Sequence, residues 1–278
     1  MQNTRVTVAT LRERKETKTP ITMLTAYDYT MASLLDCAKI DMILVGDSLG
    51  NVILGYDSTI PVTVEDMIHH GRAVCRGAQY SMVVIDMPFM SYQISAEDAV
   101  SNAGRIMKET QAQAVKLEGG IEILAAVKKI LAAGIPVIGH LGLTPQSVNQ
   151  LGGYKVQGKD QMAAQKLMDD AKALAQAGVS AIVLECVPAK LAGTITAAIS
   201  VPTIGIGAGN ACDGQVLVVN DMIGLSSGFS PKFVHKFTDM NTLVLTAVAD
   251  YKQHVTSRQF PAEQHTFKIS DEIIGKLY

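Results

Sequence analysis

Short, continuous runs of apolar residues recur along the chain, and each run ends in polar or glycine-rich residues. There are eight: Ile21–Asp28, Met42–Ser48, Met82–Pro88, Ala114–Gly120, Pro136–Leu141, Ala181–Val187, Pro202–Gly209 and Gln215–Asp221. Apolar residues occupy consecutive rather than alternating positions, as in strands of a parallel sheet that is covered on both faces. The pattern therefore predicts eight buried strands.

Stretches with apolar residues at helical spacing separate most of these runs. They are Thr63–Gly77, Ser95–Thr110, Ile121–Ala133, Lys159–Ala177 and Ala189–Ile199. Some begin with Thr or Ser followed by acidic residues, and others stop at a glycine or before a proline, as helix ends do. Alternating strands and helices predict an α/β protein built as a (β/α)₈ TIM barrel, with a doubly wound open sheet as the alternative.

The domain organisation follows from the absence of any linker-like change in composition. We predict a single barrel domain over residues 1–278, with an N-terminal helix at about residues 5–18 that closes the barrel floor. Met240–Val255 is predicted to form another outer helix. The last residues, about 261–278, lack a barrel pattern and are expected to form a C-terminal arm.

Composition narrows the classes of function. Hydrophobic residues make up 48% of the chain, charged residues 18%, and the net charge is −2. This composition excludes an intrinsically disordered chain. It also lacks the excess of basic residues that is typical of proteins that bind nucleic acids or anionic membranes. The sequence shows no secretory signal and no run long enough to cross a bilayer. Four widely separated cysteines fit reduced thiols in the cytoplasm. The low charge and 23 glycines favour a well-covered sheet or a surface hidden in an oligomer.

Charged and polar residues gather where the predicted strands end, which is where α/β barrels hold their active sites. Asp47, Asp86 and Glu118 lie among the last residues of the second, third and fourth runs. Carboxylates that share one barrel mouth repel each other, so we expect a divalent cation, and oxygen ligands favour Mg²⁺. The alternative is that each carboxylate caps a helix or pairs with a buried lysine.

Three further residues at the same mouth carry separate expectations. Glu185 stands alone on the sixth run and is the candidate general base, with a cap or an ion pair as the alternative. Lys116 shares a face with Glu118, because strand side chains alternate. It could hold a substrate carboxylate, form a Schiff base or pair with a neighbouring carboxylate. His140 is either a core histidine or an additional site residue.

The glycine-rich run Gly205–Asn210 resembles a phosphate-binding turn, a weak signal because glycines also serve simple tight turns. Its spacing does not match the dinucleotide-binding fingerprint, and no nicotinamide site is expected.

Longer segments resemble those of one enzyme family, ketopantoate hydroxymethyltransferase, also called 3-methyl-2-oxobutanoate hydroxymethyltransferase. The resemblance is carried in order by LTAYDY (24–29), LVGDSLG (44–50), DSTIPVTVEDM (57–67), VKLEGG (115–120), GHLGLTPQSVNQLGGYKVQG (139–158), LECVP (184–188) and IGIGAGNACDGQVLV (204–218). It implies a (β/α)₈ barrel of the phosphoenolpyruvate mutase/isocitrate lyase-like type. Of these segments, 139–158 is the most specific.

The resemblance also implies an activity. The family transfers a hydroxymethyl group from 5,10-methylenetetrahydrofolate to 3-methyl-2-oxobutanoate, giving 2-dehydropantoate (ketopantoate) and tetrahydrofolate in the first step of pantothenate biosynthesis. The reaction is expected to pass through a Mg²⁺-stabilised enolate. The implied partners are the oxo acid, the folate and further copies of the chain in a homodecamer, with no nucleic acid and no membrane.

The resemblance assigns roles to individual residues of this chain. Asp47, Asp86 and Glu118 fall on the family's metal positions, and Glu185 falls on its proton acceptor. The positions that contact the oxo acid correspond to Asp47, Ser48, Asp86 and Lys116.

Two rival functions remain open from the residues. A lyase or mutase of the same superfamily would share the metal site, but such lyases often carry a catalytic cysteine in a Lys-Lys-Cys-Gly-like segment, which this sequence lacks. A barrel that has lost catalysis would have no need to keep a complete set of acids, base and lysine.

Overall fold

Eight parallel strands form a closed barrel, in sequence order, in the computed structural model, which describes residues 4–225 and 231–277. Tyr278, at the end of the predicted arm, lies outside these residues. The strands are β1 Ile21–Thr25, β2 Met42–Val45, β3 Met82–Asp86, β4 Ala114–Glu118, β5 Val137–Gly142, β6 Ala181–Glu185, β7 Thr203–Ile206 and β8 Gly214–Leu217. Their positions confirm the predicted barrel, and its closure excludes the open sheet.

Helices surround the strands. They are α1 Val8–Thr17, α2 Tyr29–Cys37, α3 Leu49–Val52, α4 Val64–Gly77, α5 Ala96–Thr110, α6 Leu124–Ala132, α7 Val148–Leu151, α8 Gln161–Ala177, α9 Ala189–Ala198, α10 Val219–Met222, α11 Met240–Thr256 and α12 Asp271–Ile274. The Thr63 side chain accepts a hydrogen bond from the Asp66 amide and starts α4, and Ser95 starts α5 in the same way. In the part of the chain that is described, no helix is long and apolar enough to span a membrane.

Strand side chains divide between two apolar layers. One layer fills the space between strands and helices and includes Ile43, Val83, Val115 and Leu117. The other fills the barrel interior. On β3, β4 and β6 the inward positions begin apolar and end charged: Met82, Val84 and Asp86; Ala114, Lys116 and Glu118; Ala181, Val183 and Glu185. The charged residues therefore form the top layer of the interior, at the carboxyl ends of the strands.

Helix α1 lies across the opposite end of the barrel. Its Leu11 is fully buried against the interior apolar layer. The guanidinium group of Arg14 contacts both carboxylate oxygens of the buried Asp41, at 2.6 and 2.8 Å. Lys15 lies 2.8 Å from Asp213. These pairs fasten the helix to the segments that precede β2 and β8.

The alternation of strand and helix fails between β7 and β8. Residues 207–213 connect the two strands as a loop, so the helix N-terminus that a phosphate-binding turn uses is absent there. Gly207 has φ +65°, and a Cβ at this position would lie 2.8 Å from the ring of Phe233. A Cβ on Gly209 would lie 2.5 Å from Ala189. Close packing thus accounts for both glycines, which agrees with the alternative of simple tight turns.

Helix α11 forms where an outer helix was predicted, but none of its residues is buried. Leu245 is 64% exposed, and Val248 and Tyr251 are similarly open. Thr22 of β1 and Gln215 of β8 are register partners and are also exposed on the outside of the barrel. The prediction was therefore right about the helix and wrong about its packing against the barrel. The spacing of apolar residues indicates a helix but does not show which surface the apolar side packs against.

Candidate active site

Four buried residues from three adjacent strands meet at the barrel mouth. Asp47 follows β2, Asp86 ends β3, and Lys116 and Glu118 both belong to β4; each is at most 6% exposed. Lys116 Nζ lies 3.1 Å from Asp86 Oδ1. The Asp47 amide donates to Asp86 Oδ2 at 3.1 Å. The structure thus brings these predicted residues together.

His140 on β5 lies between this group and Glu185 at the end of β6. Its Nδ1 is 3.1 Å from Lys116 Nζ and 3.4 Å from Glu118 Oε1. Its Nε2 is 3.2 Å from Glu185 Oε2. Sequence reasoning left open whether His140 was only a core residue, and the structure places its ring in contact with both halves of the cluster.

The mouth carries more negative than positive charge, and the pKa values of its groups reflect this. Burial raises the pKa of Asp47 well above its ordinary value, and the charges of Glu118 and Asp86 raise it further. Burial alone would lower the pKa of Lys116, but the three surrounding carboxylates outweigh it, and the net shift is upward. Lys116 therefore remains an ammonium group, whereas its surroundings disfavour the negative charge of Asp47.

The pKa of His140 is set by opposing neighbours. Burial and the Lys116 ammonium lower it, whereas contacts with Glu118 and Glu185 outweigh them and raise it to about 9. A protonated ring carries N–H groups on both nitrogens and can therefore face the two carboxylates at once. The ring of His140 thus lies between the carboxylates of Glu118 and Glu185.

Ser48, the predicted polar neighbour of Asp47, begins the short helix α3. The Tyr27 hydroxyl, which is buried, lies 2.8 Å from its Oγ. Tyr27 follows β1, the one early strand end whose polar residues the sequence reading did not consider. Its position two residues beyond Thr25 was the signal that could have revealed it.

Gln146 is the other residue that sequence reasoning missed. It lies in the 3₁₀ turn Pro145–Ser147 after β5 and is 4% exposed. Its Nε2 donates to Asp47 Oδ2 at 2.8 Å, and its backbone amide donates to Glu118 Oε2 at 3.0 Å. A neutral side chain gives no charge signal, so only its place within the segment 139–158 pointed towards the site.

The family model described as ketopantoate hydroxymethyltransferase matches residues 5–263. The chain belongs to the ketopantoate hydroxymethyltransferase family. Similar family members named 3-methyl-2-oxobutanoate hydroxymethyltransferase come from Syntrophomonas wolfei subsp. wolfei and Carboxydothermus hydrogenoformans. Each is 60% identical over 274 residues, covering 99% of this chain and 99% of the relative. The resemblance seen in the sequence is confirmed, and the protein is an enzyme.

Solved structures of other enzymes have a similar fold. The chain is similar to 2,3-dimethylmalate lyase, a member of the PEP mutase/isocitrate lyase superfamily, with a TM-score of 0.55. The two share 13% identity, and the match covers 97% of this chain and 93% of the lyase. This likeness concerns the fold, and it confirms the predicted type of barrel.

Proposed function

We propose that this enzyme transfers a hydroxymethyl group from 5,10-methylenetetrahydrofolate to 3-methyl-2-oxobutanoate, giving 2-dehydropantoate and tetrahydrofolate. One water molecule supplies the hydroxyl oxygen, so that the atoms balance. The observation that carries the proposal is the top layer of the barrel, which combines clustered carboxylates, one ammonium group and a separate carboxylate, Glu185. That combination suits deprotonation of a 2-oxo acid next to its carbonyl group.

The carboxylates of Asp47, Asp86 and Glu118 fit a hard divalent cation. Asp86 Oδ1 is buried and receives no hydrogen bond, although it lies 3.1 Å from Lys116 Nζ. Among residues 4–225 and 231–277, no three His, Cys, Asp or Glu side chains form a ready-made metal cage. An incomplete set of ligands agrees with Mg²⁺, which keeps several waters and accepts oxygens from a substrate. When bound, Mg²⁺ supplies Lewis-acid stabilisation of negative charge on the keto oxygen.

Lys116 and Ser48 are the proposed donors to the oxo acid, beside Asp47 and Asp86. The raised pKa of Lys116 keeps its ammonium group charged, which favours binding a carboxylate over forming a Schiff base, since only the neutral amine attacks a carbonyl. The Ser48 hydroxyl lies at the same mouth and is held by Tyr27. Together they orient the substrate with its C3 towards β6.

Glu185 is the proposed general base. Its side chain is 16% exposed at the barrel mouth, and its Oε2 lies 3.2 Å from His140 Nε2. The other oxygen is the one proposed to take the proton from C3 of the oxo acid. The electron pair left on C3 forms a bond to the methylene carbon while one carbon–nitrogen bond of the folate breaks. Water then adds its hydroxyl group to that carbon as the second carbon–nitrogen bond breaks, and the two nitrogens of tetrahydrofolate take up the protons released by C3 and by water. His140 holds the carboxylate in position during this step.

Incubation of the purified enzyme with 3-methyl-2-oxobutanoate, Mg²⁺ and folate labelled at the methylene carbon tests the proposal. We expect labelled 2-dehydropantoate by mass spectrometry, and no product when any one component is omitted. Absence of product from the complete mixture, with a folded protein, would refute the assignment.

We further propose that the enzyme is a homo-oligomer in the cytoplasm, specifically a decamer. The support is the exposed apolar surface of α11, together with the open outer face at Thr22 and Gln215. Exposed apolar area of this kind is typical of a surface that another copy covers. Light scattering should give a mass of about ten chains, and a monomer mass at micromolar concentration would contradict it.

A further inference from the structure

Gln146 connects two carboxylates that come from different strands. Its side chain donates to Asp47 beyond β2, and its backbone amide donates to Glu118 at the end of β4. Both acceptor oxygens are buried with their residues. A single residue on the turn after β5 therefore sets the orientation of two carboxylates that repel each other.

The direction of the Gln146 amide is fixed by its other partners. Nε2 also donates to the Met87 carbonyl at 2.9 Å, and a carbonyl can only accept. The amide oxygen accepts from the Tyr92 hydroxyl at 2.7 Å. That hydroxyl in turn accepts from the Glu118 amide at 3.1 Å. With both amide hydrogens used, Gln146 cannot turn without breaking several buried hydrogen bonds.

We propose that Gln146 is a positioning residue for the divalent cation, holding Asp47 and Glu118 in the orientation that binds it. Tyr92 keeps the amide of Gln146 in the required direction. This inference rests on the proposed metal site, since it concerns the same carboxylates. Neutral donors of this kind leave the charge of the carboxylates available to the metal, whereas a cation in the same place would compete with it.

The test is direct metal binding to the full-length enzyme, measured by the signal of free Mn²⁺ in electron paramagnetic resonance. The variant is Gln146→Met, which keeps the length and removes the side-chain amide. Removal of a residue that orients metal ligands typically costs about 10–100-fold in metal affinity, and we expect a loss in that range. The Mg²⁺ concentration for half-maximal activity should rise in parallel, while kcat at saturating Mg²⁺ recovers most of its wild-type value.

Gln150→Met is the matched control, because Gln150 lies exposed in α7 on the same loop. It should bind Mn²⁺ like the wild type. Tyr92→Phe is the second variant. It keeps the ring in the core and removes the hydroxyl that contacts Gln146 and the Glu118 backbone, while Gln93 Nε2 stays 3.3 Å from the Gln146 oxygen, so Mn²⁺ binding should weaken by a smaller factor. If Gln146→Met does not fold, as judged by circular dichroism, Tyr92→Phe decides the question.

The outcomes separate this inference from the proposed function. Wild-type Mn²⁺ affinity in the folded Gln146→Met variant, with only a lower unfolding temperature, would overturn the inference and leave a purely structural role. Tight Mn²⁺ binding by a wild-type enzyme that makes no 2-dehydropantoate would overturn the proposed reaction alone. A wild type that binds no divalent cation would overturn both the metal site and this inference.

Discussion

The floor and the mouth of the barrel contain the same kinds of charged residue, but these residues serve different purposes. At the floor, Asp41 faces Arg14 and Asp213 faces Lys15, so each carboxylate has its own cation. Asp41 also accepts from the backbone amide and hydroxyl of Thr22. Positive and negative charges are thus paired at the floor, and the pairs hold helix α1 against the barrel.

At the mouth, carboxylates outnumber cations. Asp47, Asp86 and Glu118 share Lys116, and the buried Asp47 has a pKa raised by burial and by its acidic neighbours. A charged group whose pKa is raised in this way destabilises the folded state at neutral pH. The comparison teaches that charged residues stabilise the floor of the barrel and destabilise its mouth, where the proposed metal ion would supply the missing positive charge.

The largest effect should come from Glu185→Gln. The change keeps the shape of the side chain and removes its ability to take a proton, so exchange of the C3 hydrogen in deuterated water should fall by about 10²–10⁴-fold. Nuclear magnetic resonance of 3-methyl-2-oxobutanoate follows this exchange. Unchanged binding of the oxo acid serves as the control, and exchange at the wild-type rate would remove Glu185 as the base.

Next in size is Asp41→Ala at the floor. It removes the carboxylate beside Arg14, which still donates to the Pro20 carbonyl, and takes the acceptor from the Thr22 amide, so we expect a loss of about 2–4 kcal/mol in the free energy of unfolding. Urea denaturation measures the loss. Glu65→Gln, which removes an exposed partner of Arg105, should leave the midpoint unchanged. Equal losses of stability in the two variants would show that the buried Asp41 pair contributes no more than the exposed Glu65–Arg105 pair.

The mouth should respond in the opposite direction to Asp47→Asn. Asparagine can still accept from Gln146 and removes one of the repelling charges, so stability without metal should rise by about 1–2 kcal/mol. Activity should fall sharply. Thermal unfolding in the presence of a chelator gives the comparison, and a lower midpoint for the variant would show that the mouth is not under electrostatic strain.

The smallest effect concerns Asp36, whose side chain lies near the floor and accepts from the amides of Tyr80 and Ser81. Burial raises its pKa, but these hydrogen bonds outweigh burial and lower the pKa below the ordinary 3.8. Its stabilisation is therefore full above pH 3.8 and is lost as the pH falls through the lowered value.

Asp36→Asn should accordingly cost about 1 kcal/mol at pH 7, since a neutral amide is a weaker acceptor for the two N–H groups. The deficit should shrink as the pH falls below the ordinary value and the wild-type carboxyl is protonated. Urea midpoints of both proteins between neutral and acidic pH test this. A deficit that stays constant with pH would mean that the charge of Asp36 contributes nothing.

Much of the architecture could be predicted because it depends on local periodicity. Buried strands show as continuous apolar runs, and a charged residue at the end of such a run indicates the barrel mouth. Asp86 and Glu185 were found in this way. The predicted roles of these residues in metal binding and proton transfer stay predictions until the experiments above are done.

Features that depend on distant contacts could not be predicted. Gln146 is neutral and lies in a turn, so nothing local marks its hydrogen bonds to two other strands. The exposure of α11 depends on what lies opposite its apolar side, which its own spacing does not encode. A loop connects β7 and β8, and its Gly207 and Gly209 allow Phe233 and Ala189 to approach closely, contacts that local spacing does not encode.

Strand β4 places a limit on how this family can vary in length. Lys116 and Glu118 face the mouth, while Leu117 between them faces the outer apolar layer. One inserted or deleted residue in this strand would turn both charges into that apolar layer and point Leu117 at the substrate. Insertions and deletions should therefore be confined to the loops, and β4 should keep its length wherever the activity is kept.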